Sequence, residues 1–249
     1  EELYMESREV FGSVLGKDHS DYAQVCNDLA GFYRSQKEFT KSESLYLEAK
    51  KIRADIYGTE HPSYGATCNN LALVYYDRGD YKKAEPLYLE SFEIIKKKFG
   101  KDDPAFGRNR NNLAQLYKMQ GDAVAAEPLY LEAKANWEKS LGKKHPDYAL
   151  VCNNLGSFYS DQARYEQAAP LLNEAKEIQL AQIEQNFQSL SEKEQQLYYQ
   201  SLQFYFANYT TFAINYYPKK KSVAGDLYNL RLVTKGLIFH STQKTRLKI

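Results

Sequence analysis

The sequence predicts an all-α chain built as a solenoid of helix hairpins and closed by a helical extension. Three observations lead there. A unit of 42 residues returns along the chain without insertion. Inside each unit, apolar residues fall at helical spacing in two runs split by a turn. Gly (13) and Pro (7) are scarce among the 249 residues, as expected of a chain made mostly of helices.

The repeat governs everything else, because a fixed period is the signature of stacked units. Tyr22–Ser63 reads YAQVCNDLAGFYRSQKEFTKSESLYLEAKKIRADIYGTEHPS, and Tyr64–Ala105 opens YGATCNNLALVYYDRGDYKKAEPLYLES. Phe106–Asp147 opens FGRNRNNLAQLYKMQGDAVAAEPLYLEA, and Tyr148 begins YALVCNNLGSFYSDQARYEQAAPLLNEA. In the second unit Cys68, Leu71, Ala72 and Tyr75 form the apolar face of a first helix. Gly79-Asp80 breaks it. A second helix follows with Ala84, Leu87, Tyr88, Ser91 and Ile95 on one stripe. Gly100 is expected to end that helix in a left-handed conformation, and Pro104 to start the next one. A single hairpin cannot bury its own stripe, so the units must stack.

The ends of the array read differently. Leu3-Tyr4-Met5-Glu6 aligns with Leu45-Tyr46-Leu47-Glu48, so residues 1–21 are expected to be the second helix of a truncated repeat, and the chain a piece of a longer polypeptide. Four repeats occupy 22–186 and an extension 187–249. In the extension, Ser191 and Glu194 make a capping box. The helix behind it carries a seam of Tyr198, Leu202, Tyr205, Tyr209, Phe212 and Tyr216, up to Pro218. Lys219-Lys220-Lys221 reads as a solvated turn. A last helix is expected from about Val223 to Lys244, with Leu227, Leu230, Val233 and Leu237 on one side.

These residues resemble the tetratricopeptide repeat (TPR) family. Its order of Leu-Gly/Ala, Tyr and a small residue opening the second helix is met by Leu71-Ala72, Tyr75, Ala84 and Tyr88. Leu29-Ala30, Leu113-Ala114 and Leu155-Gly156 repeat the motif. The usual period is about 34 residues. The longer period here, with the AEPLYLEA wording and the GxxHP joint, is similar to the kinesin light chain variety. The resemblance implies a right-handed superhelix that holds a protein or peptide on its concave face. The tail run LSEKEQQ, an aromatic-rich helix and LYNLRLVTKGLIFHS resemble the connector of bacterial TPR–CHAT proteins. That resemblance implies a caspase-like protease domain beyond the chain and a role as its sensor or docking region. A cargo adaptor and a self-assembling array are the alternatives.

Composition narrows the function. The formal net charge is +1, which gives no global pull toward nucleic acid or an anionic membrane. Residues 195–217 lack charges but hold too many amides and hydroxyls to be read as a membrane span. Cys26, Cys68 and Cys152 are spaced by multiples of the repeat, which reads as small buried side chains rather than a disulfide framework or a metal site. Reduced cysteines and the lack of a basic, apolar leader point to the cytoplasm. No Gly-rich phosphate loop, HExxH or CxxC is present, so neither a cofactor nor enzymatic activity is expected. His19, His61 and His145, with Asp103 in the third joint, read as helix caps. His240 stands alone. Pro86, Pro128 and Pro170 each fall just past the first turn of a second helix and are expected to bend it.

The candidate partner-binding residues lie on the first helices. Paired polar residues, amides in all but Asp28, precede each Leu: Asn27-Asp28, Asn69-Asn70, Asn111-Asn112 and Asn153-Asn154. They form either a ladder for a peptide backbone or a set of ties between repeats. Arg34, Tyr76, Asp77, Arg108, Lys118 and Met119 do not repeat and are candidates for specificity. Arg108, Arg110 and Lys118 make the third unit basic, which fits an acidic peptide or a terminal carboxylate. Arg110 replaces a cysteine on an apolar face and therefore needs an acidic partner or an open edge. The chain on its own is expected to be a monomer.

Overall fold

The computed structural model describes residues 1–187 and 189–231. Within them are the helices α1 (Glu2–Val14), α2 (Ser20–Ser35), α3 (Phe39–Tyr57), α4 (Pro62–Asp77), α5 (Tyr81–Phe99), α6 (Pro104–Gln120), α7 (Ala123–Ser140), α8 (Pro146–Asp161), α9 (Tyr165–Phe187) and α10 (Glu192–Tyr216). Residues 223–231 are also helical, and no strand occurs among the described residues. The chain forms two compact units, Glu1–Asn136 and Trp137–Ile249.

In the first unit, α2 pairs with α3 and α4 with α5, and each hairpin stacks on the next through α3–α4 and α5–α6 contacts. The predicted stripes are the buried ones. Cys68, Leu71, Ala72 and Tyr75 face inward from α4, and Ala84, Tyr88, Ser91 and Ile95 from α5, with Leu87 half-buried at the edge of the core. Each large apolar side chain so buried contributes about 1.5–3 kcal/mol, and none of it is gained until two helices meet. Where a small residue lies at a helix crossing, its size is set by its neighbour. Gly156 holds the place of Ala30, Ala72 and Ala114, and Leu172 that of Tyr46, Tyr88 and Tyr130. A Cβ on Gly156 would lie 2.6 Å from Leu172 Cγ.

The joints behave as local chemistry dictates. The Nδ1 atoms of His19, His61 and His145 accept from the backbone N–H two residues on, at 3.2, 3.2 and 3.1 Å. Asp103 Oδ1 does the same for Ala105 at 2.8 Å. These are N-caps that satisfy an otherwise orphaned donor. Gly58, Gly100 and Gly142 close the preceding helices with φ near +80°. Gly100 has ψ −173°, so it lies outside the left-handed helical well, in a positive-φ region that is essentially glycine's alone. The turn inside each hairpin also needs positive φ. Gly79 and Gly121 supply it freely, whereas Lys37 (φ 61°) and Ala163 (φ 57°) hold the same position in the first and fourth repeats. Pro86, Pro128 and Pro170 all lie inside their helices.

In the second unit, α8 pairs with α9, and α10 packs against both. The predicted seam of α10 buries Leu202, Tyr205, Tyr209, Phe212 and Tyr216, and Tyr198 is half-exposed. Glu194 accepts from the backbone N–H of Ser191 at 2.8 Å and from its hydroxyl, and these bonds lower its pKa. Lys219, Lys220 and Lys221 are exposed in a turn. Val223 and Leu230 are buried. Val233, Leu237 and His240 lie outside the described residues.

Candidate functional site: the exposed face of the first helices

Much of the polar chemistry is spent on holding repeats together. Tyr22 donates to Glu48 at 2.9 Å and Tyr64 to Glu90 at 2.8 Å, each linking the two helices of a hairpin. A cation from the preceding second helix completes each cluster. Arg8 meets Glu48 at 2.8 Å and stands 5.5 Å from the Tyr22 ring centroid. Lys50 meets Glu90 at 3.1 Å and stands 5.1 Å from that of Tyr64. Cys68 lies against Glu90, and burial pushes its thiol up to about 12, so it is inert. A second latch joins neighbouring repeats: Tyr33 donates to Glu1, Tyr75 to Glu43 and Tyr117 to Glu85, at 2.8, 2.7 and 2.9 Å. These glutamates were not among the candidates drawn from sequence, although Glu48, Glu90 and Glu132 recur at the period and were open to the same reading.

The third repeat solves the same problem differently. Phe92 stands where Lys50 does one repeat earlier, and Phe106 replaces Tyr64. Glu132 would then have neither cation nor hydroxyl. Arg110, in the place of Cys68, supplies the charge. Its Nε lies 2.8 Å from Glu132, and its guanidinium lies 3.7 Å from the Phe92 ring centroid. The acidic partner required by the Cys-to-Arg change is therefore present, half-exposed at 49%. Arg110 is a structural cation.

The asparagines form a ladder between repeats. Asn70 donates to Asn27 Oδ1 at 3.2 Å, and Asn112 to Asn69 Oδ1 at 3.0 Å. Asn69, Asn111 and Asn153 are buried, at 7%, 1% and 1% exposure, so this member of each pair faces the stack. Asn27, Asn70, Asn112 and Asn154 are half-buried. An amide engaged once still has a second donor or lone pair for a ligand.

The non-repeating candidates fall into three groups. Arg34 and Asp77 bind each other at 2.6 Å across α2 and α4, so their charges cancel locally. Tyr76 is half-buried against Tyr81, with ring centroids 5.7 Å apart, and Lys118 is also half-buried. Arg108 and Met119 are exposed. Arg108 makes no hydrogen bond or ion pair among the described residues. With Asn112, Gln115 and Met119, it follows i, i+4, i+7, i+11 spacing on α6, one face of that helix.

A surface that combines a free guanidinium, partly engaged amides and a flexible thioether can hold a peptide by charge, backbone hydrogen bonds and apolar contact. It carries no nucleophile and base in contact. Among the described residues no group of three or more His, Cys, Asp or Glu is placed to hold a metal ion, and no helix is long and apolar enough to cross a membrane.

The family model for the tetratricopeptide repeat matches residues 21–97 and 107–181, more than half of the chain. The chain belongs to the tetratricopeptide repeat family. Several solved TPR-like structures share the fold. BtubC (BKLC) from P. vanneervenii is 20% identical with a TM-score of 0.64, covering 98% of this chain and 87% of that one. A putative kinesin light chain with nearly identical TPR-like repeats from Podosopora anserina is 20% identical at a TM-score of 0.60, covering 91% and 98%. A Rap protein complexed with Competence and Sporulation Factor is 14% identical at 0.59, covering 88% and 65%. No curated protein sequence matches this TPR chain significantly. The predicted kinesin-light-chain-like TPR fold is thus the observed one, and at these identities the likeness extends to fold alone.

Proposed function

We propose that this TPR chain is a protein-interaction scaffold that binds an extended peptide or protein segment along the exposed face of α2, α4 and α6. The observation that carries the reading is Arg108, an exposed cation without an ion-pair partner among the described residues, in line with Asn112, Gln115 and Met119. Nothing in the stacking of the repeats requires it, whereas the stacking does use Arg8, Lys50 and Arg110. The segment recognised there is acidic or ends in a carboxylate. Arg34, Asp77, Tyr76 and Lys118 border the same face and set its specificity. The Rap protein complexed with Competence and Sporulation Factor lends support, as a ligand-bound protein of like fold.

In its cell this scaffold is the cytoplasmic sensor or docking region of a larger TPR–CHAT protein, a reading that rests on the tail sequence. The putative kinesin light chain of like fold favours a cargo adaptor as the second reading. The test is capture of partners from the native cell type by the wild-type chain and by an Arg108→Glu/Lys118→Glu variant, read by mass spectrometry. A protein with an acidic segment, held by wild type and lost at least tenfold by the variant, is expected. Equal capture by both removes the binding face from the third repeat.

A further inference from the structure

The end of the fourth repeat is laid out to receive another first helix and receives α10 instead. In the first unit, the first member of each polar pair is completed by the next first helix. Asn70 donates to Asn27, and Asn112 donates to Asn69. Arg53 likewise reaches into the next first helix, bonding Ser63 O at 3.0 Å and Thr67 Oγ1 at 2.6 Å. At the corresponding places in the fourth repeat stand Asn153, on α8, and Gln179, on α9. Each is 1% exposed. Among the described residues, neither the Nδ2 nor the Oδ1 of Asn153 has a hydrogen-bond partner, and neither has Gln179 Oε1.

The cause lies in what α10 brings. A first helix of the repeat type would carry an amide into this space. The inward side of α10 is Leu202, Tyr205, Phe206, Tyr209 and Phe212, all buried. Tyr209 takes Lys176 over its ring at 4.4 Å, and Tyr165 stacks on Tyr216 at 5.3 Å. This packing is apolar and aromatic, and it closes water out without replacing the hydrogen bonds that water made. Buried amides left unsatisfied oppose the closed state, because lifting α10 returns them to solvent. The same apolar seam favours closure.

We propose that α10 is a releasable strap over the α8–α9 face, held by its aromatic seam and loosened by the unpaired amide of Asn153 and the unpaired Oε1 of Gln179. Opening it uncovers a face with the polar register of a repeat junction. The hairpins α2–α3 and α4–α5 bury no unpaired amide, only the Ser91 hydroxyl, and stay closed on the same timescale. The device differs from the peptide-binding face in location and does not depend on it.

Native-state hydrogen exchange of the whole chain, read by mass spectrometry, tests this. Amides of α10 are expected to exchange at least 100-fold faster than those of α4 and α5. Asn153→Leu keeps the volume and removes the unpaired groups, so it is expected to slow exchange in α10 about tenfold and leave α4–α5 unchanged. Tyr209→Ala, which cuts the seam, is expected to leave α10 unprotected while α4–α5 keep wild-type protection. Protection of α10 equal to that of α4–α5 in wild type overturns the proposal. So does faster α10 exchange in Asn153→Leu, or collapse of α8–α9 protection together with α10 in Tyr209→Ala.

Discussion

The second and third repeats solve one electrostatic problem with different residues. In both, a glutamate of the second helix sits between hairpins and must be met by a cation. The second repeat uses Lys50 from the preceding helix and adds the Tyr64 hydroxyl, with Cys68 filling the remaining space at 0% exposure. The third uses Arg110 from its own first helix, and turns the other two positions into Phe92 and Phe106, whose rings lie under the guanidinium. The requirement is the ion pair, not any one residue. Three substitutions that look unrelated in sequence are therefore one exchange.

The sharpest way to break this comparison is to mix the two solutions. Cys68→Arg alone places a second cation in a closed site already served by Lys50, and is expected to cost about 3 kcal/mol or more in urea melts. The triple variant Lys50→Phe/Tyr64→Phe/Cys68→Arg reproduces the third repeat and is expected to return to within about 1 kcal/mol of wild type. A triple variant as unstable as the single one would show that the three positions are not coupled.

A smaller effect separates the hydroxyl from the charge. Tyr64→Phe is expected to cost about 1 kcal/mol at neutral pH through the lost bond to Glu90. Burial opposes ionisation of Glu90, but the hydrogen bonds from Tyr64 and Lys50 and the charge of Lys50 outweigh it and hold the carboxyl below its ordinary value. Stability from a depressed carboxyl is present above its unfolded value, about 4.3, and is lost as pH falls below it. The difference between Tyr64→Phe and wild type should therefore shrink in acid. A difference independent of pH from 7 to 3 would assign the loss to packing.

The smallest expected change concerns the hairpin turns. Lys37→Gly and Ala163→Gly give the first and fourth repeats the glycine that the second and third have at Gly79 and Gly121. Relief of positive φ outweighs the added freedom of the unfolded chain, and each is expected to add about 0.5–1 kcal/mol. A lower melting midpoint in either would refute the strain.

Legibility in the sequence followed locality. The helix faces around Leu71 and Tyr88, the caps at His61 and Asp103 and the seam of α10 depend on neighbours two to seven residues away, so a one-dimensional pattern records them. The candidate face was only partly legible. Asn69 and Asn112 stood out as repeated amides, but their use as ties depends on partners 43 residues apart. Arg34 and Asp77 looked like separate specificity residues until α2 and α4 placed them 2.6 Å apart.

The sequence by itself determined the period, the two helices per unit and the positions of their apolar stripes, because those follow from backbone geometry and the spacing of side chains. Only the tertiary structure decided which charges are spent. Arg8, Lys50, Arg34 and Arg110 are consumed by carboxylates brought near by stacking, and Arg108 meets no carboxylate among the described residues. Ion pairing acts across space at a few ångströms, and no spacing along the chain encodes which cation reaches a carboxylate.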